Sequence, residues 1–293
     1  MSRYFHPPHH DVVDVVRRAL TEDLTPLGDL SASLVPAGTT ATATFNVRPS
    51  GVVAGSSCVA ETMRQVDPDL QLDWVVEDGD LLETGQALGT VSGSLESILI
   101  AERPALNFLM YLSGIATNTR DYVDAADGSA QVWDTRKTTP GLRSLEKAAV
   151  RAGGARNHRG NLSDWIMLKD NHLMGTSIAD GVALANRRWP ARTVHVEVDR
   201  IDQIAEAVEA KADAILLDNM APDTLREAVA LVDELVAAGA RRPLLEASGG
   251  IDLTTIGPVS HTGVDMISTS KLSFGAPTLD IGLDITTDAT SGS

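Results

Sequence analysis

Apolar residues at helical spacing over residues 10–20 (Val12, Val13, Val16 and Leu20) predict an amphipathic helix near the start of the chain. Residues 39–47, TTATATFNV, alternate small β-formers and predict a strand, and Pro49-Ser50-Gly51 turn the chain into the apolar run Val52-Val53-Ala54. Helical spacing returns over 56–66. Two further strands, 70–76 and 86–93, flank the turn Glu77-Asp78-Gly79-Asp80. Short strands alternating with single helices over roughly a hundred residues read as an α+β domain.

Residues 95–124 carry the longest helical signal, a wide apolar stripe of Leu99, Leu106, Leu109, Met110 and Leu112 that Gly114 is expected to break or kink. Arg103, beside Pro104 inside this stretch, reads on spacing alone as a surface or salt-bridge residue. From residue 131 the rhythm becomes regular. Strands are predicted at 131–135, 165–168, 193–198, 214–218, 244–248 and 266–268, with helices at 142–152, 178–188, 201–210 and 222–238 and a short one near 253–256. This alternation is that of a parallel α/β fold, and its spacing suits a barrel. Six strands where a closed barrel has eight predict an open one.

With 293 residues, 43% hydrophobic, and a mean hydropathy of −0.01, the chain has the composition of a globular protein. No apolar run reaches the length of a membrane span, and MSRYFHPPHH lacks a signal-peptide core, so a cytoplasmic location is expected. A single cysteine, Cys58, excludes an intrachain disulfide. His6, His9 and His10 read as a weakly structured end or as a fortuitous metal-binding tail.

Charge changes the picture more. Against a net charge of −16, residues 136–169 hold eight basic residues (Arg136, Lys137, Arg143, Lys147, Arg151, Arg156, Arg159, Lys169) and two acidic ones, Glu146 and Asp164. Either this is a site for a small polyanion or it is a solvated basic helix face; nucleic acid and acidic membranes would be repelled by the remaining surface. Placement bears on the choice. The predicted strands end in Thr135-Arg136-Lys137, Lys169, Glu197, Asp218, Ser248-Gly249-Gly250 and Ser268-Thr269-Ser270. In parallel barrels the carboxyl ends of the strands build the active site, so six polar ends meet at one mouth. Cations there suit anionic groups, the two carboxylates suit a divalent metal or sugar hydroxyls, and Gly/Ser turns offer backbone N–H groups to phosphate.

The segments AERPALNFLMYLSGIAT (101–117), DTRKTTPGLR (134–143), GGARNHRGNLSDWIMLKDNH (153–172), Glu197-Val198, LLDNM (216–220), EASGGI (246–251) and LDIGLD (279–284) together resemble the quinolinate phosphoribosyltransferase family, also called nicotinate-nucleotide pyrophosphorylase (carboxylating). The resemblance is collinear over nearly the whole chain. It implies the type II phosphoribosyltransferase architecture: an amino-terminal α/β sandwich over 1–112, joined by the carboxy-terminal segment 271–293, and an open six-stranded α/β barrel over 113–270. It implies transfer of phosphoribosyl from phosphoribosyl pyrophosphate to quinolinate with decarboxylation, giving nicotinate mononucleotide, pyrophosphate and CO2 on the de novo route to NAD. Mg²⁺ and a homodimer sharing its active site come with it.

Residue by residue, the resemblance implies Arg103 from the neighbouring subunit, with Arg136, His158, Arg159 and Lys169, around quinolinate. Thr135, Lys137, Glu197, Asp218, Ser248, Gly249, Gly250, Thr269, Ser270 and Lys271 would hold the phosphoribosyl pyrophosphate, with Glu197 and Asp218 serving the metal directly or through water. Lys169, Glu197 and Asp218 are the catalytic candidates. The chain departs from the family where a glycine and a Thr-His-Ser-like turn are usual; Ser270 and Phe274 stand there, and Phe274 donates no hydrogen bond, which leaves Lys271 to supply positive charge. Alternative readings are a transferase of the same fold from molybdenum-transport operons with another acceptor, a Schiff-base lyase using Lys169, and a non-enzymatic binding role.

Overall fold

The computed structural model describes residues 6–127 and 130–287. In chain order these form α1 (His9–Leu24), β1 (Thr40–Val47), β2 (Gly51–Val52), α2 (Ser56–Val66), β3 (Gln71–Trp74), β4 (Leu81–Leu82), β5 (Ala87–Ser94), α3 (Leu95–Ala125), β6 (Gln131–Trp133), α4 (Arg143–Ala152) and β7 (Ile166–Leu168). There follow α5 (Ile178–Arg188), β8 (Val194–Val198), α6 (Asp202–Glu209), β9 (Ala214–Asp218), α7 (Pro222–Ala237), β10 (Leu244–Ser248), α8 (Ile256–Ser260), β11 (Met266–Ser268) and β12 (Ile281–Thr287). The chain divides into two compact units. Among the described residues, one comprises 6–120, 138–154 and 275–287; the other comprises 121–127, 130–137 and 155–274.

The first unit contains an antiparallel sheet of order β12-β1-β5-β3. Alternation along β1 sends Ala41, Ala43, Phe45 and Val47 into the core, where Ile98, Ala101, Ala105 and Leu109 of α3 join them. Small residues on both elements let helix and sheet approach closely, and Phe45 meets the edge of the Trp74 ring at 5.5 Å. Helix α3 passes through Gly114 without the expected break. The glycine answers a packing demand instead: a Cβ there would stand 2.1 Å from the Pro277 carbonyl oxygen and 2.8 Å from Thr278 Cα. Helix α4 also belongs to this unit, whereas the sequence placed it with the barrel. At the start of the chain, α1 begins at His9, and His6 lies 3.5 Å from Asp78, which raises its pKa.

The second unit is a six-stranded parallel sheet of order β6-β11-β10-β9-β8-β7. This is the cyclic order of a barrel cut between its first and second strands, the open arrangement expected from a count of six. Strands β8, β9 and β10 are buried along most of their length by Val194, Val196, Ile215, Leu217, Leu245 and Ala247, as central parallel strands must be. Helix α5 is capped by Ser177, whose Oγ accepts from the Asp180 N–H at 3.0 Å, and α7 opens on Pro222. Helix α8 falls at Ile256–Ser260 and not at 253–256, because the Asp252 carboxylate accepts from the Thr254 N–H at 3.0 Å and turns those residues before the helix.

Candidate active site

Register decides which strand ends lie together. Ser248 pairs with Asp218 on one side and Ser268 on the other, and Ser268 pairs with Trp133, so four carboxyl ends form one row. Leu168 pairs with Val196, which brings the following residues, Lys169 and Glu197, level. Around this row lies a cavity of about 580 Å³ lined by Thr135, Arg136, Lys137, His158, Arg159, Lys169, Glu197, Asp218, Ser248, Gly249 and Gly250. Met167, Leu216, Asn219, Glu246 and Ser268 complete the wall. A smaller recess is lined by Thr135, Lys137, the Ser248–Ile251 turn, and Ser268 with Thr269, Ser270 and Lys271. Of the candidate residues only Arg103 is outside these walls. It belongs to the first unit, two-thirds exposed on α3, 3.8 Å from Glu102.

The basic patch thus resolves into parts. Arg136, Lys137, Arg159 and Lys169 line the cavity, Arg156 is exposed elsewhere, and Arg143, Lys147 and Arg151 lie on α4 in the first unit. Arg159 is buried, with Nη1 donating to the Trp165 carbonyl at 3.4 Å. Burial first, then the neighbouring charge of Arg136, lowers its pKa. An arginine remains charged under such a shift, so two cations are held together in a partly desolvated pocket, a geometry that an anion with two carboxylates would relieve.

Loop chemistry fixes the phosphate-sized recess. Gly249 and Gly250 have φ of +97° and +66°, and a Cβ on Gly249 would stand 2.3 Å from Asn219 Oδ1. Asn219 is itself left-handed, at φ +55°, and its Nδ2 donates to Asp218 Oδ2 at 2.8 Å. The glycine therefore sets Asn219, and Asn219 sets Asp218. Across the recess, Thr269 Oγ1 accepts from the Lys271 N–H at 3.2 Å and donates to the Ile251 carbonyl at 2.9 Å. Phe274 is half-exposed and lies outside both linings.

Three residues of the interior carried no functional assignment in the sequence. Glu246 is fully buried at mid-strand on β10; the Ser268 hydroxyl donates to its Oε1, and Oε2 lies 3.3 Å from His158 Nε2 and 3.9 Å from His195 Nδ1. Burial pushes the Glu246 pKa up, but the His158 bond and the Ser268 hydroxyl outweigh it, leaving the pKa lowered. Burial drives the His195 imidazole down to about 4, so it is neutral near pH 7. Asp134, also buried, accepts from the His158 N–H at 2.7 Å and from Asn157 Nδ2 at 2.9 Å and so fixes the backbone that carries His158 and Arg159. Their shared signal is a charged or imidazole residue in a hydrophobic run, as in Val194-His195-Val196 and Leu245-Glu246-Ala247.

An open parallel α/β barrel whose mouth sets cations opposite paired carboxylates and Gly/Ser turns defines an enzyme scaffold for anionic, phosphorylated substrates. Residues 21–113 match the N-terminal domain of quinolinate phosphoribosyl transferase and residues 115–284 its C-terminal domain. The chain belongs to that family. It is 40% identical over 278 residues, 93% of this chain and 96% of the relative, to a Mycobacterium leprae nicotinate-nucleotide pyrophosphorylase [carboxylating]. A probable enzyme of the same name from Synechocystis is 40% identical over 243 residues, 81% of this chain and 80% of its own. The nicotinate-nucleotide pyrophosphorylase structure from Francisella tularensis superposes with a TM-score of 0.91 at 33% identity, covering 97% of this chain and 99% of the other.

Proposed function

We propose that the protein is a quinolinate phosphoribosyltransferase, forming nicotinate mononucleotide, pyrophosphate and CO2 from quinolinate and phosphoribosyl pyrophosphate. The observation that carries this reading is the pairing of buried Arg159 with Arg136 beside Lys169, in one cavity with Glu197 and Asp218. Arg136, Arg159 and Lys169, with His158, hold the two ring carboxylates and aim the pyridine nitrogen at the sugar. That nitrogen's lone pair bonds the anomeric carbon, and pyrophosphate departs with the electrons of the carbon–oxygen bond. Positive charge grows on the ribose as it leaves, and Glu197 and Asp218 stabilise it and accept from the ribose hydroxyls. Lys137, Thr269, Ser270, Lys271 and the N–H groups of Ser248, Gly249 and Gly250 hold the phosphates. The alkylated ring nitrogen is then cationic, so the adjacent carboxylate leaves as CO2, its bonding electrons stay on the ring carbon, and a proton replaces it.

Glu197 and Asp218 are hard oxygen donors at adjacent strand ends, a set that suits Mg²⁺ and not a softer ion. A bound Mg²⁺ would supply charge neutralisation to the pyrophosphate. With this reading go a cytoplasmic location and a homodimer in which Arg103 completes the acceptor site of the neighbouring subunit; the exposure of Arg103 leaves it available for such a contact. Among the described residues no helix is long and apolar enough to cross a membrane. Carboxyl-labelled quinolinate tests the reaction: label release that needs phosphoribosyl pyrophosphate and matches nicotinate mononucleotide formation supports it. No release by folded protein, with turnover of another pyridine acid, would move the assignment to a sister transferase.

A further inference from the structure

We propose that His158, His195 and Glu246 form a binding site for a divalent transition-metal ion of the zinc class, separate from the carboxylates Glu197 and Asp218. Among the described residues this is the one group of three metal-capable side chains, all buried, whose ligand atoms lie within 4.8 Å of one another. His158 Nε2 and Glu246 Oε2 are 3.3 Å apart. Tetrahedral ligation at about 2.0–2.1 Å places ligand atoms roughly 3.3 Å apart, so this pair already has the spacing and His195 needs a small inward adjustment. Two imidazole nitrogens and one carboxylate oxygen are a donor set that zinc uses with a fourth position open, and both His158 and Glu246 face the cavity from which that position is filled.

An independent observation points to the same place. His195 is 4% exposed, and its Nδ1 has no hydrogen-bond partner; the Glu246 carboxylate 3.9 Å away is too far for one. A buried nitrogen left in this way has lost its water without a partner in return, and an ion shared with Glu246 supplies one. The surroundings orient the ligands as outer shells of metal sites do: Ser268 donates to the second carboxylate oxygen, and the Trp165 ring stacks on His195 at 5.0 Å. The ion takes up His158 Nε2 as a ligand. His158 then no longer serves the acceptor, so occupancy competes with quinolinate, a consequence that rests on the proposed reaction while the site itself does not.

Cobalt(II) is the probe, added to metal-stripped protein without substrate. One equivalent per chain should give the intense visible bands of a four-coordinate ion, and His195→Phe, which keeps a ring against Trp165, should abolish them. Absence of these bands in the wild type, or equal bands in the variant, would overturn the site whatever the protein catalyses. Zinc(II) assayed with saturating Mg²⁺ should raise the apparent KM for quinolinate in the wild type and leave His195→Phe uninhibited. Equal inhibition of both would place zinc at Glu197 and Asp218 or on the substrate and sink the proposal. If the phenylalanine variant does not fold, His195→Gln is read by the same two measurements.

Discussion

Lys169 and Glu197 meet side chain to side chain at the ends of neighbouring strands, Nζ against Oε2. One is the cation proposed for the acceptor, the other the carboxylate proposed for the sugar, so each substrate must loosen the same ion pair. Whichever binds first bears that cost, and the second is spared it. Quinolinate should therefore bind about five-fold or more tightly when an unreactive phosphoribosyl pyrophosphate analogue is present. Titration calorimetry measures this, and identical affinities would refute the coupling. Lys169→Met should lower kcat/KM by roughly 10²–10³-fold, the loss typical of one preorganised charge.

Arg159→Lys should act on the acceptor alone. The planar fork of Arg159 is buried beside Arg136, and an ammonium cannot offer a carboxylate the two parallel hydrogen bonds that such a fork can. Losing one charge-assisted bond costs about 1.5–3 kcal/mol, so the KM for quinolinate should rise about ten- to hundred-fold with the KM for phosphoribosyl pyrophosphate within two-fold or so. Initial rates against each substrate separate the two.

Acid should destabilise the wild type through His195. Its pKa falls from 6.5 unfolded to about 4 folded, so between those values the unfolded chain binds the extra proton. The stability is fully present above about pH 6.5 and is lost as pH falls toward 4, on the order of 3 kcal/mol in all. Urea midpoints at pH 7 and pH 4.5 should differ less in His195→Phe than in the wild type; parallel shifts would show that other groups set the acid limb.

Gly249→Ala should disable the site through Asn219 as well as through the turn that carries its own N–H. The methyl group would collide with Asn219 and force a non-glycine residue to φ +97°, a strain of about 1–3 kcal/mol. Because Asn219 holds Asp218, the expected result is a loss of at least about ten-fold in kcat together with a lower melting temperature. Asn219→Ala removes the colliding amide but not the strain at φ +97°, so it should return only part of the stability of the glycine variant and none of its rate.

Lys271→Ala tests how the recess manages without the family's histidine. Lys271 lines the recess, and Phe274 does not. The KM for phosphoribosyl pyrophosphate should rise about ten-fold, in keeping with one lost charged hydrogen bond, and more steeply at low salt than at high. An unchanged KM would show that the backbone N–H groups suffice.

Legibility followed period and position. The barrel strands were readable because buried parallel strands make continuous apolar runs, and their polar ends were readable because those runs stop abruptly, as at Leu217-Asp218 and Leu168-Lys169. What escaped depends on contacts distant in sequence. Gly114 looks like a helix breaker until Pro277 lies against it, and α4 has the spacing of any barrel helix although it packs in the other unit. His195 and Glu246 sit mid-strand, where the alternation of side chains gives no hint that three buried polar groups meet.

The pairing of β1 with β12 has a consequence for the order in which the protein is made. All six barrel strands lie before residue 269, so the second unit has its whole sheet once the chain has grown past that point. Strand β1, synthesised far earlier, must wait for residues 281–287 to cover one side of it. Throughout that interval its N–H and C=O groups on that side are an open template, with Phe45 and Val47 in the same strand. Any truncation that ends the chain shortly before residue 281 therefore leaves a protein that has all six barrel strands and still displays a sticky edge near its beginning.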